Sequence, residues 1–161
     1  MKILVCSDTH HSLGYLYEAI EQEMPDCVIH LGDHTVDAED LSHVFEKIPF
    51  ITVPGNCDYD PVSPTERTVM LGGVTVFLTH GHLYSVKHGT QRLLLRAQQL
   101  QARIALFGHT HQAYQKEENG ILLLNPGTAS SCGRSSYALI EAAEGTYSCK
   151  IIDSIGKRGN V

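Results

Sequence analysis

A chain of 161 residues is one domain's worth of sequence, able to bury roughly two thirds of the surface its unfolded form exposes. With 42% hydrophobic and 19% charged residues it is neither a disordered tail nor a fibrous repeat. Its formal charge of −6 argues against general binding of duplex nucleic acid, and no apolar run reaches the ~18 residues of a membrane span.

The N-terminus has no basic-then-apolar signal segment, which leads to the expectation of a cytoplasmic protein. Five cysteines (6, 27, 57, 132 and 149) are scattered and contain no Cys-x-x-Cys pair, so no disulfide scaffold is expected. Ten histidines with no tryptophan is an odd balance. Imidazole is the usual ligand of borderline metals, so the excess needs a use.

Residues 2–6 form a short apolar run that predicts a buried strand, ending in Ser7-Asp8-Thr9-His10. In extended chain, residues i and i+2 point to one side, so Asp8 and His10 can converge. Alone this is a weak signal, because Asp or Thr there could equally cap the helix that follows. Leu13, Leu16, Tyr17, Ile20 and Met24 keep one helix face, closed by Pro25. A second strand over 28–31 ends in Gly32-Asp33. Leu41, Val44, Phe45 and Ile48 predict a second helix, stopped by Pro49. A third strand over 50–53 ends in Pro54-Gly55-Asn56-Cys57-Asp58. Strand, helix, strand, helix, strand reads as a parallel βαβαβ half, whose ligands belong outside the carboxyl ends of the strands.

The next stretch changes character. Gly72-Gly73 predicts a hairpin between strands over 67–71 and 74–79, the second ending in Thr79-His80-Gly81-His82. A helix is expected at about 89–102, then a strand over 104–107 ending in Gly108-His109-Thr110-His111. Asn119-Gly120 predicts a hairpin between 113–116 and 121–124, followed by Asn125-Pro126-Gly127-Thr128. A last hairpin, 136–142 with 146–152, turns at Glu144-Gly145. The expectation is one α/β domain over 1–153 with a frayed polar tail at 154–161. One sheet should be largely parallel, the other mixed or antiparallel, with helices outside.

Asp8, His10, Asp33, Asn56, His80, His109 and His111 all follow apolar strands, most beside a glycine. Any one of them reads equally well as a turn residue. Two carboxylates, one amide and four imidazoles together form a borderline ligand set, suited to Mn²⁺, Fe²⁺ or Zn²⁺. Seven ligands exceed one ion. With one bridging carboxylate they supply two sites, at a separation of about 3.5–4 Å. A hydroxide bridging such ions attacks phosphorus in line.

The series Asp8-x-His10, Gly32-Asp33, Gly55-Asn56-x-Asp58, His80-Gly81-His82 and Gly108-His109-Thr110-His111 resembles the calcineurin-like metallophosphoesterases. The small size and the Asn125–Thr128 element resemble the short phosphodiesterase branch. That resemblance implies a four-layer α/β/β/α sandwich of two mixed sheets. It implies that Asp8, His10, Asp33 and His111 hold one ion, and that Asp33, Asn56, His80 and His109 hold the other. Asp33, Asn56, His80, His109 and His111 would then be catalytic as well as ligating. Mn²⁺ is the first choice of metal, with Ni²⁺, Fe²⁺ or Zn²⁺ as alternatives. Asp58 would orient ligands. The expected partner is a small phosphodiester substrate, with no membrane partner; a homo-oligomer is left open.

One position departs from the pattern. Many relatives, the monoesterases especially, carry a histidine where this chain has Cys57. A thiol is a weak proton donor. His11, His34 and His82 lie beside ligands and could partly substitute, although solvated loop histidines explain them as well. Residues 59–66 and 129–136 are expected to shape the substrate pocket. The alternative function is a protein-binding scaffold of the same fold, like the scaffold subunit of the retromer coat, in which the resemblance implies incomplete ligation.

Overall fold

The computed structural model describes residues 1–60, 62–130 and 134–154. The expected tail lies outside these residues beyond Ser154. Two five-stranded mixed sheets are present. In the first, β1 (Lys2–Cys6), β2 (Cys27–His30) and β3 (Phe50–Thr52) run parallel at one side. The antiparallel hairpin β9 (Ser136–Ala143) and β10 (Thr146–Asp153) completes it, with β9 beside β1. Its expected largely parallel character therefore holds for one side only. In the second sheet, β5 (Val74–Thr79), β6 (Ile104–Leu106) and β8 (Ile121–Pro126) are parallel. The strands β4 (Glu66–Leu71) and β7 (Ala113–Glu118) pair antiparallel at its two edges.

Alternation along β1 shows how the layers form. Ile3 and Val5 pack into an apolar layer between the sheets, with Ile29, Leu78, Leu106 and Leu124. Leu4 and Cys6 point the other way, onto Leu16 and Ile20 of α1 (Leu13–Glu23) and Leu41 of α2 (Thr35–Val44). On the far face Phe77, Ala105 and Leu123 meet Leu93, Leu94 and Ala97 of α3 (Gln91–Gln99). Strands buried on both faces need continuous apolar runs, and these have them. The result is α/β/β/α.

The second helix differs from expectation. It runs Thr35–Val44 and stops at Phe45, whereas the apolar spacing placed it around 41–48. Its first two turns carry polar residues, among them the buried Asp37, which accepts the His11 N–H at 2.9 Å. Phe45 and Ile48 still pack on the same cluster, from a turn closed by the Ile48 N–H on the Phe45 carbonyl. The period found the right packing residues on the wrong element. Other limits shift by a few residues: α3 is shorter than expected, β7 is longer, and β8 includes Asn125 and Pro126. An unexpected 3-10 turn, His82–Tyr84, follows β5. Among the described residues no helix is long and apolar enough to cross a membrane.

His30, on β2, is completely buried. Its Nδ1 accepts the Gly32 N–H at 3.2 Å and its Nε2 lies 3.1 Å from Thr9 Oγ1. Burial lowers its pKa from 6.5 to about 4. Between those values the unfolded chain binds the proton more tightly, so stability falls as pH drops through the window and is full above it. At about 1.4 kcal/mol per pH unit the loss is on the order of 3 kcal/mol. Urea unfolding of wild type and His30→Gln at pH 7 and pH 4 should show the variant losing less stability by about that amount. Equal losses would remove His30 as the cause.

Candidate metal centre

The carboxyl ends of β1, β2 and β3 in one sheet, and of β5 and β6 in the other, meet at one edge. Asp8, His10, Asp33 and His111 each bring one ligand atom within 4.8 Å of the others. The Nε2 atoms of His10 and His111 are 3.4 Å apart, and His111 Nε2 is 3.1 Å from Asp8 Oδ1. His80 Nε2 stands 3.4 Å from Asp33 Oδ1, and its ring centroid lies 5.1 Å from that of His109. Six of the seven expected ligands thus form one continuous group. Asn56 borders it: the exposed turn after β3 leaves its Nδ2 donating to Cys57 Sγ at 3.4 Å. The next N–H, of Cys57, donates to Asp33 Oδ1 at 2.9 Å.

The backbone reaches this convergence differently from the extended geometry expected. Asp8, His10, Asp33, His109 and His111 all have positive φ, between 46° and 68°. Left-handed backbone is disfavoured for residues with a Cβ, and several such residues together mark a site that the surrounding structure holds in place. Two glycines permit the close approach of the loops. A Cβ on Gly55 would lie 2.2 Å from Asp33 Oδ1, and one on Gly108 would lie 2.0 Å from Ser7 Oγ. Asp58 binds the backbone beneath Asp33. Its carboxylate accepts N–H bonds from Asp33 at 2.8 Å, Thr35 at 2.8 Å and Gly55 at 2.7 Å. That is the orienting role expected of it.

Protonation states follow from burial. His80 Nδ1 lies 2.7 Å from the Leu31 carbonyl and donates to it, which leaves the Nε2 lone pair aimed at the site. Burial, opposed by Asp33, lowers its pKa to about 4, so the ring is neutral. Burial likewise pushes Asp8 up to about 7, and the Asp33 charge adds to this. At Asp33 burial pulls upward, but the hydrogen bond from the Cys57 N–H opposes it, and the carboxylate is held below its usual range. Burial and then Asp33 keep the Cys57 thiol protonated above its ordinary range.

Two buried atoms test whether a cation fits. Asp8 Oδ1 and His80 Nε2 make no hydrogen bond, though buried polar atoms ordinarily have one. His80 Nε2 is an acceptor facing the Asp33 carboxylate, and Asp8 Oδ1 faces the His111 imidazole. A divalent cation satisfies that arrangement, and the residues therefore fit a metal.

Three other histidines, His11, His34 and His82, lie beside the group. His34 sits with its ring 5.1 Å from His10 and 4.0 Å from His11. His82 lies 5.4 Å from His80 with a buried Nδ1 that has no partner. Two hollows flank the group. One is lined by His34, Glu39, Cys57, Tyr59 and Asp60, the other by His111, Gln112, Arg134 and Ser136. Each borders a segment expected to shape the pocket, although Pro61 and residues 131–133 lie outside the described ones. Roles for His30, Asn125 and Thr128 were missed. Asn125-Pro126-Gly127-Thr128 did stand out, but as a mark of the short phosphodiesterase branch with no ligand among its residues.

The family model for the calcineurin-like phosphoesterase superfamily domain matches residues 1–145. The probable metallophosphoesterase YsnB of Bacillus subtilis is 33% identical over 131 residues, 80% of this chain and 75% of that protein. Phosphodiesterase YfcE of Escherichia coli is 29% identical over 156 residues, 81% of this chain and 80% of that one. Among solved structures, a zinc complex of Vps29 from Entamoeba histolytica superposes with a TM-score of 0.76 at 21% identity. The match covers 95% of this chain and 99% of that chain, and it bears on fold alone. The chain belongs to the calcineurin-like phosphoesterase superfamily.

Proposed function

We propose that this chain is a dinuclear metal-dependent phosphodiesterase, carried by residues 1–153 as one domain. Asp8, His10, Asp33 and His111 would hold the first ion. Asp33, Asn56, His80 and His109 would hold the second, with Asp33 bridging. The observation that supports this most is the convergence of four ligand atoms within 4.8 Å, with His80 reaching Asp33 from the other side. The imidazole-rich set favours Mn²⁺, with Ni²⁺, Fe²⁺ or Zn²⁺ next. Ions held by these residues would supply an acidified water as the nucleophile and positive charge for the phosphoryl oxygens.

The chain itself orients the ligands and governs departure of the leaving group. The Leu31 carbonyl fixes the His80 tautomer, and the His109 N–H at 3.1 Å occupies Asp8 Oδ2 so that Oδ1 faces inward. A leaving oxygen that is a strong base needs a proton. Cys57 is a weak donor there. The hollow beside it carries Glu39 and Asp60, whose charges oppose a monoester dianion more than a diester monoanion. Diesters with acidic leaving groups fit both features.

The fold shared with Vps29 leaves a second reading, a protein-binding scaffold. A full ligand set speaks for the enzyme. A Vps29 solved with zinc means that ion binding alone does not separate the two readings, and turnover does. The metal-free chain, supplied separately with Mn²⁺, Ni²⁺, Zn²⁺ and Mg²⁺, should hydrolyse aryl phosphodiesters faster than the matched monoesters. No turnover with any of the ions would favour the scaffold.

Elemental analysis of the Mn²⁺-reconstituted chain should approach two ions per chain. A plateau at one would sink the dinuclear assignment.

Cys57→His places a proton donor beside the leaving group. It should raise monoester kcat/KM relative to diester, by about the 10²-fold of a positioned general acid. A ratio that stays fixed or moves toward diesters would show that Cys57 makes room for the substrate instead.

A further inference from the structure

Asn125 and Thr128 carry no ligand atom of the proposed centre, yet both are buried at the carboxyl end of β8 beside it. Asn125 is fully enclosed and its amide is fully used. Its Nδ2 donates to the Gly108 carbonyl at 2.7 Å and to Thr110 Oγ1 at 3.1 Å, and its Oδ1 accepts the Gly127 N–H at 2.9 Å. Gly108 precedes His109, and Thr110 separates His109 from His111. One amide therefore grips that loop on both sides of its first imidazole and next to its second. Thr128 Oγ1 donates to the Asp8 carbonyl at 2.8 Å, and the Ala129 N–H bonds the Ser7 carbonyl at 2.9 Å.

The residues so held are those with disfavoured backbone. Asp8, His109 and His111 have φ of 55°, 68° and 58°. Such conformations persist when neighbouring contacts leave the chain no alternative. Asn125 and Thr128 make those contacts from a strand that contributes nothing else to the cluster. Hydrogen bonds that orient metal ligands characteristically govern affinity as strongly as some of the ligands do.

We infer that Asn125 and Thr128 are positioning residues of the metal centre. Asn125 sets His109 and His111, and so acts on both ions. Thr128 sets Asp8, and so acts on the first ion alone. This rests on the ligand assignment proposed above. The unequal reach of the two residues separates positioning from general stabilisation, because a loss of stability alone would weaken both ions together in either variant.

The test is Mn²⁺ binding by isothermal titration calorimetry to the metal-free full-length chain. His109→Ala and His111→Ala first identify which binding event belongs to which ion. Asn125→Asp keeps the shape and removes both N–H donors. It should weaken both events by about 10- to 100-fold. Thr128→Val removes one hydroxyl. It should weaken, by a similar factor, only the event lost in His111→Ala, leaving intact the one lost in His109→Ala. Leu122→Ala is the control. Leu122 lies on β8 in the apolar layer between the sheets, so its loss loosens the same strand without touching either ligand loop. That variant should bind both ions as wild type does, even where its melting temperature falls as far as that of Asn125→Asp.

Wild-type affinities in Asn125→Asp, equal weakening of both events in Thr128→Val, or matching losses in Leu122→Ala would each overturn the positioning roles. Unchanged binding in both histidine variants would overturn the ligand assignment instead. Should Asn125→Asp fail to fold, Thr110→Val, which removes one Asn125 partner at a half-buried position, carries the same expectation in weaker form. The selective loss in Thr128→Val stands independently of it.

Discussion

Two carboxylates that the fold buries side by side govern the rest of the molecule. Asp8 and Asp33 are almost fully enclosed, and what faces them is imidazole. Neither His80, held neutral by burial, nor any hydrogen bond to Asp8 Oδ1 supplies the missing positive charge. The metal-free chain therefore raises Asp8 to about 7, a carboxyl balanced between its two forms. Buried charge without a partner is costly, and its usual remedies are neutralisation or a cation. Placing two such groups at the mouth of a sandwich makes the fold a holder for positive charge.

That demand explains the architecture. A single parallel sheet would offer the ends of β1, β2 and β3, and hence Asp8, His10, Asp33 and Asn56, but not enough imidazole. The second sheet turns its own parallel trio toward the same edge and adds His80, His109 and His111. Bringing ligands from two sheets to one point forces the chain out of extended geometry as soon as each strand stops. The left-handed residues are the consequence. The forced turns are then held from beneath, by Asp58 under Asp33 and by β8 under His109 and His111.

What was legible in the sequence follows the same division. The residues that converge at the edge could be singled out because each ends an apolar run, and because their types agree on one kind of metal chemistry. The layers could be read because strands such as Leu4-Val5-Cys6 are apolar on both faces. The reason given for Asp8 and His10 converging was not the operative one: i, i+2 alternation belongs to extended chain, and these residues are left-handed. The start of α2 was illegible, since Asp37 faces inward to meet the His11 N–H, a contact that spacing cannot reveal. Asn125 showed only as part of a branch-marking element. Its use depends on Gly108 and Thr110, which are close in sequence to one another but reach it only through strand pairing.

The two halves of the proposed centre are unequally prepared. The first cluster draws on strand ends deep in their sheets, and its four ligand atoms already lie together. The second includes Asn56, carried on an exposed turn after β3, the edge strand of its sheet and only three residues long. Its amide rests against Cys57, the position where this chain departs from the histidine expected of monoesterases. In the reading proposed above the second ion would need that amide turned inward, which would break its contact with Cys57 Sγ. The candidate ligand on the exposed turn is thus also the one beside the position that departs from the monoesterase pattern.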